Sequence, residues 1–310
     1  MMQTLHKILQ DNGRQAALQL DIDRQVVEAA AAYMADEQNG VGFLYSGWCQ
    51  AALPHRRLAD HKGWQLESDQ VCLIIEPGMK RGAAGEPVPV GVPYGSRARL
   101  ILIYLQSEAI RTNSRDIELG KSLRAWMGRM NIPIGGKNLQ IVRDQMERIS
   151  RSRLSFEVKR GGTVGLTNQN IMDSAVFMDP SAEGDNETYM HMARLSEGFF
   201  DGLRRHPVPL DEAAIRALSN NSMALDIYSW LAYRLHSLSR PTSITWHGLK
   251  AQFGLNFGQL KNFKARFLPN LQLALAVYPA AKVLEQDDGK GIILYPGQPP
   301  VGKKAISLKL

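Results

Sequence analysis

Apolar residues along this chain recur with two periods, and the places where one gives way to the other mark out its elements. The stretch to about Asn39 is rich in Ala, Gln and Leu and predicts helix, most clearly over Gln25–Met34. Val41–Ala52 and Trp64–Glu76 predict strands, joined by a basic turn that holds His55, Arg56 and Arg57. Pro77, Gly78, Gly82, Gly85, Pro87, Pro89, Gly91 and Pro93 then punctuate a loop.

Beyond that loop the pattern runs through one plan twice. Ser96 is a good N-cap for a helix through Ala109. Its apolar run Leu100–Leu105 also fits a buried strand, but Ala98, Gln106, Glu108 and Ala109 favour helix. A short extended piece at Asp116–Leu119 leads to a helix over Lys121–Met130, which stops near Pro133, Gly135 and Gly136. Leu139, Val142, Met146 and Ile149 line one face of the next helix, about Asn138 to Ser150. Leu154–Val158 alternates as a strand, and Ile171–Met178 and Thr188–Leu195 continue the sheet.

The second pass opens at Ser222, with Ala224, Ile227, Tyr228, Leu231, Leu235 and Leu238 marking an apolar face that Arg240-Pro241 ends. Ser243–Thr245 is β-prone, Trp246–Phe253 is helical to Gly254, and a further helix from about Phe257 carries Leu260, Phe263, Phe267 and Leu271 inward. Ala281–Gln286 and Gly291–Tyr295 flank Asp287-Asp288-Gly289-Lys290, a strong hairpin signal. Helix, short strand, helix, helix, hairpin is the winged-helix order. The expected fold is therefore α+β, with an N-terminal helical and β-hairpin extension (1–93) and two tandem winged-helix domains, the first (94–195) with an extended wing and the second 196–310.

Composition narrows the class. The apolar fraction of 44% belongs to a globular chain. The longest candidate run, Leu100–Leu105, is far short of the roughly 18 residues that span a bilayer. The opening MMQTLHKILQDNGRQ lacks an apolar leader, and two cysteines, Cys49 and Cys72, do not staple a chain of 310 residues. A cytoplasmic protein without membrane contact is expected.

Charge is unevenly distributed. The net charge is +7, yet residues 1–93 balance at −3, 94–160 at +8, 161–221 at −5 and 222–310 at +7. Two basic blocks on either side of an acidic one suit two polyanion-binding surfaces, with the acidic stretch as connection, dimer surface or elaborated wing.

Enzymatic signatures fail one by one. Gly136-Lys137 has Asn131 where a P-loop needs glycine, and Asn138 where it needs Ser or Thr. Cys49, His55 and His61 lack the paired spacing that sets two metal ligands on one element. His191 has no partner histidine for the metal of a nicking enzyme, and no G-x-S-x-G elbow occurs. No catalytic residue, metal ligand or cofactor site is nominated.

The winged-helix order instead nominates a reading surface, because its third helix enters the major groove and its wing meets the backbone. In the first unit that selects Lys137, Asn138, Gln140, Arg143 and Arg148, with Arg151, Arg153, Lys159 and Arg160 along the wing. In the second it selects Gln259, Lys261, Asn262, Lys264 and Arg266, with Arg240, Lys250 and Lys290 on phosphates.

The stretches VPYGSRARLILIYLQSEAIRTNSRDIELGKSLRAWMGRMNIPIGGKN and MALDIYSWLAYRLHSLSRPTSITWHGLKAQFG resemble the RepA-type plasmid replication initiators of Gram-negative bacteria. So do GFLYSGWCQAALPHR, LIIEPG, LSEGFFDGLRRHPVPLD and FKARFLPNLQLALAVYP, in the family's order and over most of Val41–Pro300. The resemblance implies a sequence-specific DNA-binding protein that recognises a plasmid origin, starts its replication, recruits host replication proteins and often represses its own promoter. With no catalytic set and two basic winged helices, a non-enzymatic initiator that binds repeated duplex sequences is expected. A homodimer is a further expected form. A winged-helix repressor is the alternative within the class, and a rolling-circle nicking enzyme the alternative outside it.

Overall fold

In the computed structural model, which describes residues 2–38, 40–68, 71–120, 122–130, 132–160, 163–178 and 189–302, the Ala-rich start forms two helices. α1 (Met2–Ala17) is interrupted at Gly13, whose φ of 78° suits a residue without Cβ. α2 (Arg24–Met34) is capped by Asp23, whose carboxylate accepts the Gln25 N–H at 2.7 Å. β1 (Val41–Tyr45) follows, and Ser46–Gln50 forms a short helix, α3. This corrects the single strand expected over Val41–Ala52. Trp48 and Cys49 are buried at consecutive positions, which a half-exposed strand would send to opposite faces.

The middle of the chain begins with β2 (Trp64–Glu67), β3 (Val71–Glu76) and the small hairpin β4 (Met79–Arg81) and β5 (Pro87–Pro89). α4 (Gly95–Thr112) buries its whole Leu100–Ile103 stretch, so the apolar run is helix. Next come β6 (Asp116–Glu118), α5 (Leu123–Arg129) and α6 (Gly136–Arg151). β7 (Arg153–Arg160), β8 (Thr163–Asn170), β9 (Met172–Met178), β10 (Tyr189–Leu195) and α7 (Glu197–Arg205) complete this part. The expected starts at Lys121 and Thr188 lie outside the described residues.

Two sheets form here, in the orders β2-β3-β7-β8 and β6-β10-β9. The first corrects the expected wing. β7 does not belong with the hairpin that completes the three-helix plan; Leu154 and Phe156 face Ile75 and Leu73 across the ladder, and all four are buried. β3 pairs along the edge of β7, so the apolar side chains of both strands share one buried face. The hairpin joined to the short strand β6 is β9–β10.

β11 (Pro207–Asp211) pairs with β1, and α8 (Glu212–Ala217) and α9 (Ser222–Leu235) follow, capped by Asp211 and Asn221. β12 (Thr242–Thr245), α10 (Trp246–Phe253), α11 (Leu260–Ala276), β13 (Val283–Glu285) and β14 (Gly291–Leu294) end the described chain, with sheet order β12-β14-β13. That order matches β6-β10-β9: the short strand lies beside the last strand of the hairpin in both.

These elements form two compact units, Met1–Ala52 with Val208–Leu310, and Leu53–Pro207. The stretch 1–93, expected as one extension, is parted between them at Ala52. In the first unit α2 packs on α8 and α11, and α9 on α3 and α11.

Candidate nucleic-acid interface

α11, the last helix of the unit that closes the chain, is built around aromatic contacts. Phe263 and Phe267 are fully buried, their ring centroids 5.2 Å apart, and Phe267 lies 5.6 Å from Phe253 and 6.0 Å from Trp246. That seam fixes which way the helix turns its other side. Gln259, Lys261, Asn262 and Arg266 are exposed on it. Gln259, the N-cap of α11, makes no side-chain cap bond, and a Cβ at Gly258 would meet no atom within 4 Å.

The remaining nominees of this unit differ. Arg240 and Lys290 are exposed, and Lys250 is half-buried on α10. Lys290 sits at the hairpin turn, its ammonium 3.3 Å from the Asp288 carboxylate. The backbone N–H of Lys290, first, and its ammonium together lower the Asp288 pKa. Lys264 does not project freely. Its ammonium donates to the Gly289 carbonyl at 3.2 Å and lies 4.7 Å above the Trp246 ring.

In the inserted unit, α6 has the same start. Gly135 is an N-cap without a side-chain bond, Gly135 and Gly136 face open space, and Lys137 is exposed behind them. Gln140 is exposed too, and Arg143 is half-buried. The Asn138 amide turns inward, its Nδ2 donating to the Pro133 carbonyl at 2.8 Å and its Oδ1 accepting from Arg97 at 3.5 Å.

Arg148 overturns its expected place. It is 2% exposed, with Nε donating to Asp144 at 2.8 Å and Nη2 to Asp60 at 2.9 Å, and its guanidinium stacks 5.3 Å from the Tyr94 ring centre. It is an internal clamp. Asp60 loses water on burial, yet its bonds from Arg57 and Arg148 hold its pKa below the ordinary carboxylate value.

The residues expected along a wing lie elsewhere. Arg151 ends α6 and donates to the Met79 carbonyl at 3.0 Å. Arg153 and Lys159 lie on β7, and Lys159 pairs with Glu67 at 3.1 Å. Arg160 ends β7, its side chain outside the described residues. Among the exposed groups that the pattern did not single out are Arg124 on α5 and His247 on α10. Each lies two residues after a side-chain N-cap, Ser122 or Thr245. That spacing is legible, though it signals a helix start rather than a contact.

Beyond geometry, the profile of the family described as "Plasmid encoded RepA protein" matches residues 92–247, half of the chain. The chain belongs to the RepA family. The matched region of this RepA chain runs from just before α4 to the start of α10, so α11 and its hairpin lie beyond it. No curated protein matches the sequence. Among solved structures, a crystal structure of domains 2 and 3 of RctB is similar at a TM-score of 0.50 and 11% identity. It covers 84% of this chain and 99% of that one. A second crystal structure of RctB domains 2–3 aligns at a TM-score of 0.48 and 10% identity, over 85% and 100%. At such identity the likeness is one of mixed helix and strand fold. No described helix of this RepA chain is long and apolar enough to cross a membrane.

Proposed function

We propose that this RepA-family protein starts replication of a plasmid by binding repeated duplex sequences at its origin. Each unit works as a winged helix, without enzymatic chemistry. The observation that carries the reading is the exposed face of α11. A helix fixed by buried Phe263 and Phe267 turns Gln259, Lys261, Asn262 and Arg266 to solvent, which supports assigning it the groove-reading role. Asn and Gln suit adenine edges, and Arg and Lys suit guanine. Lys137 and Gln140, beside the open start of α6, are the corresponding contacts of the inserted unit. Arg240, Lys250, Lys290 and Arg124 meet phosphates. The acidic stretch 161–221 stays off the duplex, because phosphates repel it. Host replication proteins and a second copy are the protein partners this reading implies, in the cytoplasm.

The test joins replication to binding. This gene with its flanking DNA should sustain an otherwise inert circle in a bacterial host. Purified protein should footprint repeats in that DNA, with affinity falling steeply in salt, by a log–log slope of about −0.9 per phosphate contacted. Binding without replication supports the repressor alternative, and single-strand cleavage by pure protein refutes the non-enzymatic reading.

A further inference from the structure

The hairpin β13–β14 is short. Its ladder has three pairs, Val283↔Leu294, Leu284↔Ile293 and Glu285↔Ile292, and Asp287, Asp288, Gly289 and Lys290 at the turn are all exposed. Along its other edge β14 pairs with β12 as far as Thr245↔Gly291, so the strands are fixed and only the turn before Gly291 depends on what holds its tip. The Gly289 carbonyl is the held atom. It accepts from Trp246 Nε1 at 3.0 Å and from Lys264 Nζ at 3.2 Å, while Lys264 Nζ lies 4.7 Å over the Trp246 ring. Gly289 reaches this position at φ 67°, a conformation that favours glycine. From the other side, the Trp246 N–H donates to the Lys290 carbonyl at 3.0 Å. Trp246 is 1% exposed and packed edge-on to Phe267, so it is a fixed post. Lys264 stands on α11, one residue beyond buried Phe263.

We propose that Lys264 is a positioning residue, latching the hairpin turn to α11 so that Lys290 is presented at a set place relative to the α11 face. Its ammonium serves the fold's own carbonyl and ring rather than a base or phosphate. The consequence for DNA rests on the function proposed above, whereas the latch itself is a property of the free protein. The two therefore fail separately.

Lys264→Met keeps the stem and removes the ammonium; Lys264→Arg keeps a cation and donor. Hydrogen exchange of the free full-length protein reads the latch. The Gly289 N–H, bonded to Gln286 O, and the Gln286 N–H, bonded to Gly291 O, report the turn. In Lys264→Met both should exchange about tenfold faster, with buried amides of α11 unchanged, and Lys264→Arg should restore most of the protection. With origin DNA, Lys264→Met should weaken specific and random duplex alike, by about threefold, as removal of one placed phosphate contact does. Unchanged exchange at the turn in Lys264→Met overturns the latch. So does a loss of discrimination between specific and random duplex while the turn stays protected, since Lys264 would then be a reader. If the parent protein binds no origin DNA, the proposed function falls and the exchange result still decides the latch.

Discussion

Replacing Arg148 with alanine separates a structural cation from a nucleic-acid contact. The substitution removes the 2.8 Å bond to Asp144, the 2.9 Å bond to Asp60, a longer one to the Val92 carbonyl at 3.4 Å, and the stacking on Tyr94. Hydrogen bonds to charged groups contribute about 1.5–3 kcal/mol each. Asp60 and Asp144 are 37% and 36% exposed and regain water once the arginine is gone, so the low end applies to both. That gives about 3 kcal/mol, and the space left by a side chain 2% exposed brings the loss to about 3–5 kcal/mol. Urea unfolding followed by circular dichroism should show the midpoint falling with the slope kept, and Tm should drop by roughly 10 °C. Well below that temperature the variant should bind duplex DNA nearly as the parent does. A variant within about 0.5 kcal/mol of the parent that loses DNA binding would refute the internal-clamp assignment.

Three further outcomes follow from the same geometry. Lys261→Ala with Arg266→Ala, both on the exposed face of α11, should leave unfolding within about 0.5 kcal/mol per site, yet cost about 1–3 kcal/mol of discrimination for each base no longer read, measured by titrating specific against random duplex. Phe263→Ala should destabilise by about 3–5 kcal/mol in urea unfolding, because its fully buried ring packs on Phe257 and Phe267. The bond from Arg216 holds the Asp36 pKa down, so its stabilisation is present above the unfolded value of about 3.9 and is lost as pH falls through the lower folded value. Arg216→Met should flatten the urea midpoint against pH in that acid window and leave the rest of the profile in shape.

The legible parts of this fold are those that neighbours in sequence determine. Trp246–Phe253 is helical as its pattern predicts, because Thr245 caps it and Gly254 stops it. Leu139, Val142, Met146 and Ile149 are all buried, as their spacing on one helical face demands. Distant partners decide the rest. The role of Arg148 depends on Asp60, 88 residues earlier, and that of Lys264 on a carbonyl 25 residues later. β7 alternates as expected, but β3, far upstream, pairs along its edge, and so Arg153 and Lys159 stand in the β2-β3-β7-β8 sheet rather than on the expected wing. Helical spacing told inward from outward on α11 well, since Phe263 is buried and Lys261 exposed. It gave no sign that an outward lysine would fold back onto the hairpin.

One unit of this molecule is interrupted by the other in the chain, and this gives its synthesis a fixed order. Leu5, Val26, Val27, Ala30 and Phe43 leave the ribosome early, but α8, α9 and α11, the helices of their own unit, are made only after Pro207. At about 5–20 residues per second the gap lasts on the order of ten seconds or more. Only when Pro207 has been made does the inserted unit have all its residues, and it is complete before its neighbour, whose N-terminal helices wait meanwhile with apolar faces bare. A chain released at residue 221 thus carries one unit with all its residues and one stranded fragment, a ready client for a chaperone or a protease.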